Sequence, residues 1–418
     1  MEPSYPSSPL SASSIFSLLF LLLLASPAAP LAAPLAAPLA VPFAAAAPPQ
    51  PSLLPTSSIL TTPCADLAEA VGGTGRAKEI WNVLRTGSDP LANPTTAVHR
   101  SLPLLFVPPS SSYIIHSTST SPDGTTKLLL SFPPSSHLIE TVIIPFPYRN
   151  PPSSTVCVSS QVGCAQACRF CATGKMGELA SLPAAAIASQ LFAAFALSRS
   201  LGMPEITGAV FMGMGEPMAN SLEVFDAAAA MVDPGRFRLS KNRVTISTVG
   251  TSPSDFSKIA NSGCALAWSL HAADDATRKL LVPTAKHTVE ALRAGMVEAL
   301  RSYGSRAARK AMLEYVLIAG VNDTAEHQRS LAALVKKCSE ETSDVGGKIM
   351  VNLIPYNDNG IPGFTAPTPE AAFAFGRFLR KNGVVCFVRT ARGDEEQAAC
   401  GMLSTKEQMR VARVKEAA

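Results

Sequence analysis

The sequence predicts an α/β fold: a parallel sheet covered by helices and curled into a partial barrel, with a small α+β module ahead of it. Three observations carry this reading. From about residue 151, short apolar runs rich in β-branched residues alternate with helical patterns of ten or more residues. The runs are apolar on both faces, as strands are when crossover helices cover them. Each run ends in a polar or glycine-bearing motif, and barrels of this class carry their functional groups where strands end.

The 418 residues divide into a leader over 1–75, a module over 76–150, a catalytic barrel over 151–403 and a tail over 404–418. Residues 1–75 contain no Lys or Arg. Their apolar run at 15–25, "IFSLLFLLLLA", is shorter than the roughly 20 residues that span a bilayer and has the length of a signal-peptide core. A repeat of Ala-Pro-Leu-Ala follows, whose prolines remove helix donors and whose small residues offer little to pack. This pattern resembles two-part plastid targeting sequences. A plastid is therefore the expected location, with cytoplasm or mitochondrion as alternatives, and no stable membrane association is expected once the leader is removed. The three acids of the leader leave the rest with 35 bases against 28 acids, an excess compatible with a polyanion such as RNA. Nine cysteines, odd in number and clustered, argue against a secreted disulfide framework and for a reducing compartment.

In the module, "RAKEIWNVLRTG" places Ile80, Val83 and Leu84 at helical spacing with Gly87 at the end. "YIIHSTSTSPDGTTKLLLSF" reads as a hairpin around "SPDG", and "HLIETVIIPF" as a third strand containing Glu140. Barrel strands follow in order: "STVCVSSQ", "ITGAVFMGM", "RVTISTVG", "CALAWSLHA", "AMLEYVLIAG", "KIMVNLIPY" and a final "VCFVRT". Helical patterns at 182–202, 221–232, 288–304, 324–338 and 369–383 lie between them.

Cys164, Cys168 and Cys171 have the spacing C-x3-C-x2-C, which puts three thiols on one short loop and leaves a fourth ligand position open. Structural zinc closes with four ligands, so an iron–sulfur cluster fits better; zinc and unligated thiols are the alternatives. Cys157 stands outside that rhythm. Cys264 and Cys386 read as strand core, Cys338 as a helix residue and Cys64 as part of the leader boundary. Basic stretches at 236–243, 301–310 and 378–383, with Arg389 and Arg392, are candidates for phosphate contact.

"CVSSQVGC", "FCATGKMG", "GMGEPMAN", "RVTISTVG", "SLHAADDATRKLLVP", "EYVLIAGVND", "VNLIPYN" and "RGDEEQAACG", in that order over 76–403, resemble the radical SAM dual-specificity RNA methyltransferases that modify C2 of adenosine. The resemblance implies a partial (β/α)6 radical SAM barrel, a 4Fe-4S cluster on Cys164, Cys168 and Cys171, and S-adenosyl-L-methionine (SAM) at the mouth. Gly215, Glu216, Ser247, Ser269, Leu270, His271 and Asn357 match the family's SAM-binding positions. Cys400 matches the cysteine that becomes methylated by one SAM; a radical from a second SAM then activates that S-methyl group for addition to the adenine. Cys157 matches the thiol that releases the adduct by a transient disulfide with Cys400, and Glu140 the carboxylate that takes the C2 proton. C2 of adenine is electron-poor and cannot attack a methyl donor directly, which is why a radical route is needed. The expected partners are ribosomal RNA, with transfer RNA as a second substrate, and an electron donor such as flavodoxin or ferredoxin, acting on a monomer. Methylation at C8 on the same barrel and a non-catalytic RNA- or zinc-binding barrel are the alternatives. The chain departs from the family's usual pattern at Met176 and Met402.

Overall fold

In the computed structural model the described residues are 58–91, 106–389 and Leu403. They belong to one compact unit, Ala46–Ala418. Two helices open it, α1 (Cys64–Val71) and α2 (Thr74–Leu84). The first falls wholly inside the segment expected to be leader. Its apolar face is the reason: Leu67 is fully buried, as are Ile59 and Leu60 just ahead of it, so the packed body begins by Ser58. Gly72, at φ +76°, ends α1 in the left-handed conformation that glycine adopts without strain.

Strands β1 (Ile114–Thr120), β2 (Thr126–Ser131) and β3 (Leu138–Phe146) pair antiparallel in sequence, the hairpin legible in "SPDG". β3 then pairs antiparallel with β4 (Ser153–Cys157), the first barrel strand. The module therefore does not form a sheet of its own; it continues the barrel sheet and covers the edge of β4.

After β4 comes a two-stranded arm, β5 (Gln161–Cys164) with β6 (Gly177–Ser181). Helix α3 (Ala184–Ser200) leads to β7 (Ile206–Phe211), α4 (Ser221–Val232) to β8 (Val244–Thr248), and α5 (Ser254–Ser262) to β9 (Ala265–Ser269). Helices α6 (Asp275–Leu281) and α7 (Val289–Ser302) lead to β10 (Lys310–Leu317), α8 (Ala325–Glu341) to β11 (Lys348–Pro355), and α9 (Pro369–Lys381) to β12 (Val385–Val388). Side-chain caps start several of these helices: Thr288, Thr324 and Thr368 each accept a backbone N–H three residues on.

The parallel strands lie in the order β4-β7-β8-β9-β10-β11-β12, each beside its successor in sequence. Six successive crossovers run in one direction along the sheet, which with the handedness usual for such connections puts their helices on one face. This is the predicted partial barrel, with β12 as a seventh strand. Core packing follows strand alternation: on β11, Ile349, Val351 and Leu353 face the helices, while Asn352 and Ile354 line the lumen. Trp268 is buried against Phe256 with ring centroids 5.5 Å apart.

The N-terminal helix pair clasps the turn after α4. Trp81 meets Phe237 edge to face at 5.1 Å, Arg85 bonds the Gly235 and Arg236 carbonyls, and Arg236 reaches the Thr61 carbonyl. Arg236 also pairs with Asp233 and is buried, so part of the basic stretch 236–243 is structural rather than free for phosphate. The stretches 236–243, 301–310 and 378–383 all precede strands and so lie at the end opposite the mouth. Arg389, just after β12, is on the mouth side, and Arg392 lies outside the described residues. Among the described residues no helix is long and apolar enough to cross a membrane. Cys264 and Cys386 are buried, as expected, and Cys338 lies on α8, as expected, with its side chain buried.

Candidate active site

The polar motifs meet at the mouth because each follows a parallel strand. Cys164 is the last residue of β5, so the cysteine motif sits at the tip of the β5–β6 arm. Here Gly163, at φ +74°, faces Gly177 so closely that a Cβ would fall 1.9 Å from its carbonyl oxygen. The other side of the loop rests on α6: Arg169 N–H donates to the Leu281 carbonyl at 2.9 Å, and Thr284 Oγ1 donates to the Gln166 carbonyl at 3.1 Å.

Cys164, Cys168 and Cys171 line one cavity. Burial pushes all three thiols above the ordinary cysteine value, and at Cys168 the other two add to that effect. A bound cationic iron body would reverse the shift. Three thiols on one short loop suit a cluster with one open position, whereas a structural zinc site closes with four ligands.

Glu216, Ser247, Ser269, His271 and Asn357 line the same cavity. The buried Glu216 carboxylate accepts from Met218 N–H and Val249 N–H, both at 3.0 Å, which locks it between the ends of β7 and β8. Burial raises its pKa to about 7 against those hydrogen bonds. Ser247 and Ser269 hydroxyls meet at 3.0 Å on neighbouring strands. His271, at φ +60°, accepts from Val316 N–H through Nδ1, so its proton is on Nε2. Burial first, and the Arg278 charge second, lower its pKa to about 3, and the ring is neutral.

Gly215 lines the same cavity. One expectation changes: Leu270 does not line the cavity; its side chain is fully buried in the core. Gly215 is needed for its own backbone: at φ +105°, a Cβ would fall 2.7 Å from Gln161 Cβ and 2.8 Å from Gln161 N. Gly215→Ala is expected to displace the Glu216 loop, destabilise the fold by about 2 kcal/mol and abolish SAM binding, checked by thermal melting and equilibrium dialysis.

Cys157, at the end of β4, lines a second, larger cavity of about 460 Å³. It runs along the sheet from Tyr148 and Arg149 to Asn357, and shares Met212, Ile354, Pro355, Asn357 and Leu403 with the first. Leu403 is buried on that shared wall, and its carbonyl accepts from Thr173 Oγ1 in the cysteine loop. Cys400 lies outside the described residues. Glu140 is buried, not on the surface; its carboxylate pairs with Lys127 Nζ at 3.2 Å. It lies two residues before Val142, which lines the second cavity, but lines neither cavity itself.

Sequence reasoning missed three buried residues. Arg278 donates to the Val249, Ser269 and Leu270 carbonyls at the ends of β8 and β9, beneath the cysteine loop. Glu314 and Asn352 meet in the lumen, Asn352 Nδ2 donating to Glu314 Oε2 at 2.7 Å. All three stand inside or beside quoted motifs; nothing in the spacing shows where they point.

Residues 158–330 match the radical SAM superfamily model. The chain is 39% identical over 297 residues to the ribosomal RNA large subunit methyltransferase N of Nitrosopumilus maritimus, covering 70% of this chain and 80% of that protein. It is 40% identical over 293 residues to the dual-specificity RNA methyltransferase RlmN of Marinobacter nauticus, covering 68% and 73%. The probable dual-specificity RNA methyltransferase RlmN of Thermus thermophilus is 39% identical over 291 residues, with coverage of 68% and 76%. A solved radical SAM methyltransferase from Sphaerobacter thermophilus superposes with a TM-score of 0.71 at 31% identity, covering 83% of this chain and 99% of that one.

Proposed function

Because the chain belongs to the radical SAM dual-specificity RNA methyltransferase family, we propose that it methylates C2 of an adenosine in large-subunit ribosomal RNA, and in transfer RNA as well. It is a radical SAM RNA methyltransferase. The observation that supports the finer reading is the shared wall between two cavities. One holds Cys164, Cys168 and Cys171, the other holds Cys157, and Leu403 stands between them.

Cys164, Cys168 and Cys171 would hold a 4Fe-4S cluster, and Glu216, Ser247, Ser269, His271 and Asn357 would hold SAM. Together, when bound, these supply methyl groups and a carbon radical. Cys400, three residues before Leu403 in the chain, is the methyl acceptor in this reading. The Cys157 thiolate then attacks the Cys400 sulfur of the protein–RNA adduct: an S–S bond forms, the C–S bond breaks, and its electron pair stays with the methyl carbon, which takes up a proton. Before that step Glu140, held by Lys127, would take the C2 proton, while the odd electron of the radical adduct would leave to the cluster.

Anaerobically reconstituted protein, labelled SAM and RNA test the function. Wild type is expected to label RNA at adenine C2, and Cys400→Ala to leave it unlabelled. Equal labelling by both proteins would refute the carrier role, and mass spectrometry locating the methyl at C8 would overturn the C2 assignment. We further assign a ferredoxin- or flavodoxin-type reductant, a monomeric enzyme and a plastid location. The last rests on residues ahead of Ser58 alone, and a fluorescent fusion of that segment checks it.

A further inference from the structure

Glu314 on β10 and Asn352 on β11 are direct register partners on the lumen face. Their relative exposures are 4% and 5%. An ionised carboxylate only accepts hydrogen bonds, so the 2.7 Å contact with Glu314 Oε2 fixes which end of the Asn352 amide is nitrogen. That leaves two acceptors without a hydrogen-bond partner among the described residues, Asn352 Oδ1 and Glu314 Oε1. Both keep some accessible surface. Burial raises the Glu314 pKa, and the Arg389 charge after β12 and the Asn352 hydrogen bond act against that rise, toward the ionised carboxylate.

The pair sits where the cavities adjoin: Glu314 lines the one with the three cysteines, Asn352 the one with Cys157. Acceptors in so enclosed a place are costly until a donor arrives. An exocyclic amino group brings two N–H bonds on one nitrogen and can satisfy both. Asparagine is also the side chain whose amide matches adenine, accepting from N6 while donating to a ring nitrogen.

We propose that Asn352, oriented by Glu314, reads the exocyclic amino group of the target adenine and selects that base at the boundary between the two cavities. Guanine and hypoxanthine place a carbonyl oxygen there, which both acceptors repel. An unsubstituted purine offers only C–H. The inference rests on the RNA adenosine methyltransferase reading above and adds the residues that choose the base.

The test uses the full chain, reconstituted anaerobically, and two hairpin RNAs with one unpaired loop purine, adenosine in one and purine riboside in the other. Binding is read by fluorescence anisotropy and methyl transfer by label. Wild type is expected to bind the adenosine hairpin about tenfold or more tightly than the purine hairpin. Asn352→Ala is expected to bind both alike. Glu314→Gln, nearly isosteric, lets the Asn352 amide turn over and is expected to lose most of the preference, which keeps the test informative if the alanine variant does not fold. Full preference retained by a folded Asn352→Ala or Glu314→Gln protein would overturn the proposal. So would a wild type that methylates the adenosine hairpin yet binds both equally. Wild type that methylates no RNA overturns the underlying reading, and the proposal with it.

Discussion

Cys157→Ala is expected to leave the protein covalently joined to its RNA. The release step needs a second thiol to break the carbon–sulfur link, and alanine supplies none. Cys157 suits that task by position: it ends β4, is 8% exposed, and lines the larger cavity rather than the one with the other three cysteines. With labelled RNA, a denaturing gel should show protein and label moving together, and nuclease should collapse the band. Wild type should show no such species at the end of the reaction. Removing one buried sulfur costs only about 1 kcal/mol, so misfolding does not account for a trapped product. Cys157→Ser should trap as well, since a hydroxyl forms no disulfide. Multiple turnovers without an adduct in either variant would end the assignment.

Arg278→Met is expected to have the largest effect on stability of any substitution at the mouth. The guanidinium is 1% exposed, lies 5.7 Å from the Trp268 ring, and satisfies carbonyls of Val249, Ser269 and Leu270. Burial lowers its pKa to about 10, so it remains charged at neutral pH. Methionine fills similar space but donates nothing. Each carbonyl left dry costs about 1–3 kcal/mol, and a loss of about 3–5 kcal/mol overall follows. Thermal or denaturant unfolding reads this directly. SAM binding should fall in parallel, because Val249 N–H holds Glu216 and the same strand ends carry Ser247 and Ser269. Arg278→Lys keeps the charge but cannot reach three carbonyls at once, and should recover only part of the stability. An Arg278→Met protein as stable as wild type would show that water takes over those carbonyls.

What was legible in the sequence follows from which forces are local. Strands and helices of the barrel announce themselves by periodicity, and their Thr caps by residue type, so the order of elements is readable. The cysteine loop is readable for the same reason, because its ligands are neighbours in the chain. The β5–β6 arm is not: "QVGC" and "GELAS" are short, and 12 residues of loop separate them. Leu270 is not readable either: it follows the last residue of β9 and precedes His271 at φ +60°, so strand alternation does not say which way its side chain turns. The Glu314–Asn352 bond joins residues 38 apart, and register between two strands decides it. A lone sequence carries no record of that register. Helix α1 was hidden by its neighbourhood: its apolar face is ordinary, but it follows a long charge-poor stretch and was read as part of it.

The clasp of the N-terminal helices on the turn after α4 has a consequence for how the chain acquires its structure during synthesis. Each barrel strand lies beside the next one made, so strand and helix units can dock in order as they leave the ribosome. Arg85, among the first folded residues to emerge, must wait for Arg236, 151 residues later, before its main contacts exist. Leu67, Ile80 and Trp81 therefore remain without their native cover until α4 has been made, and the earliest part of the body is among the last to settle.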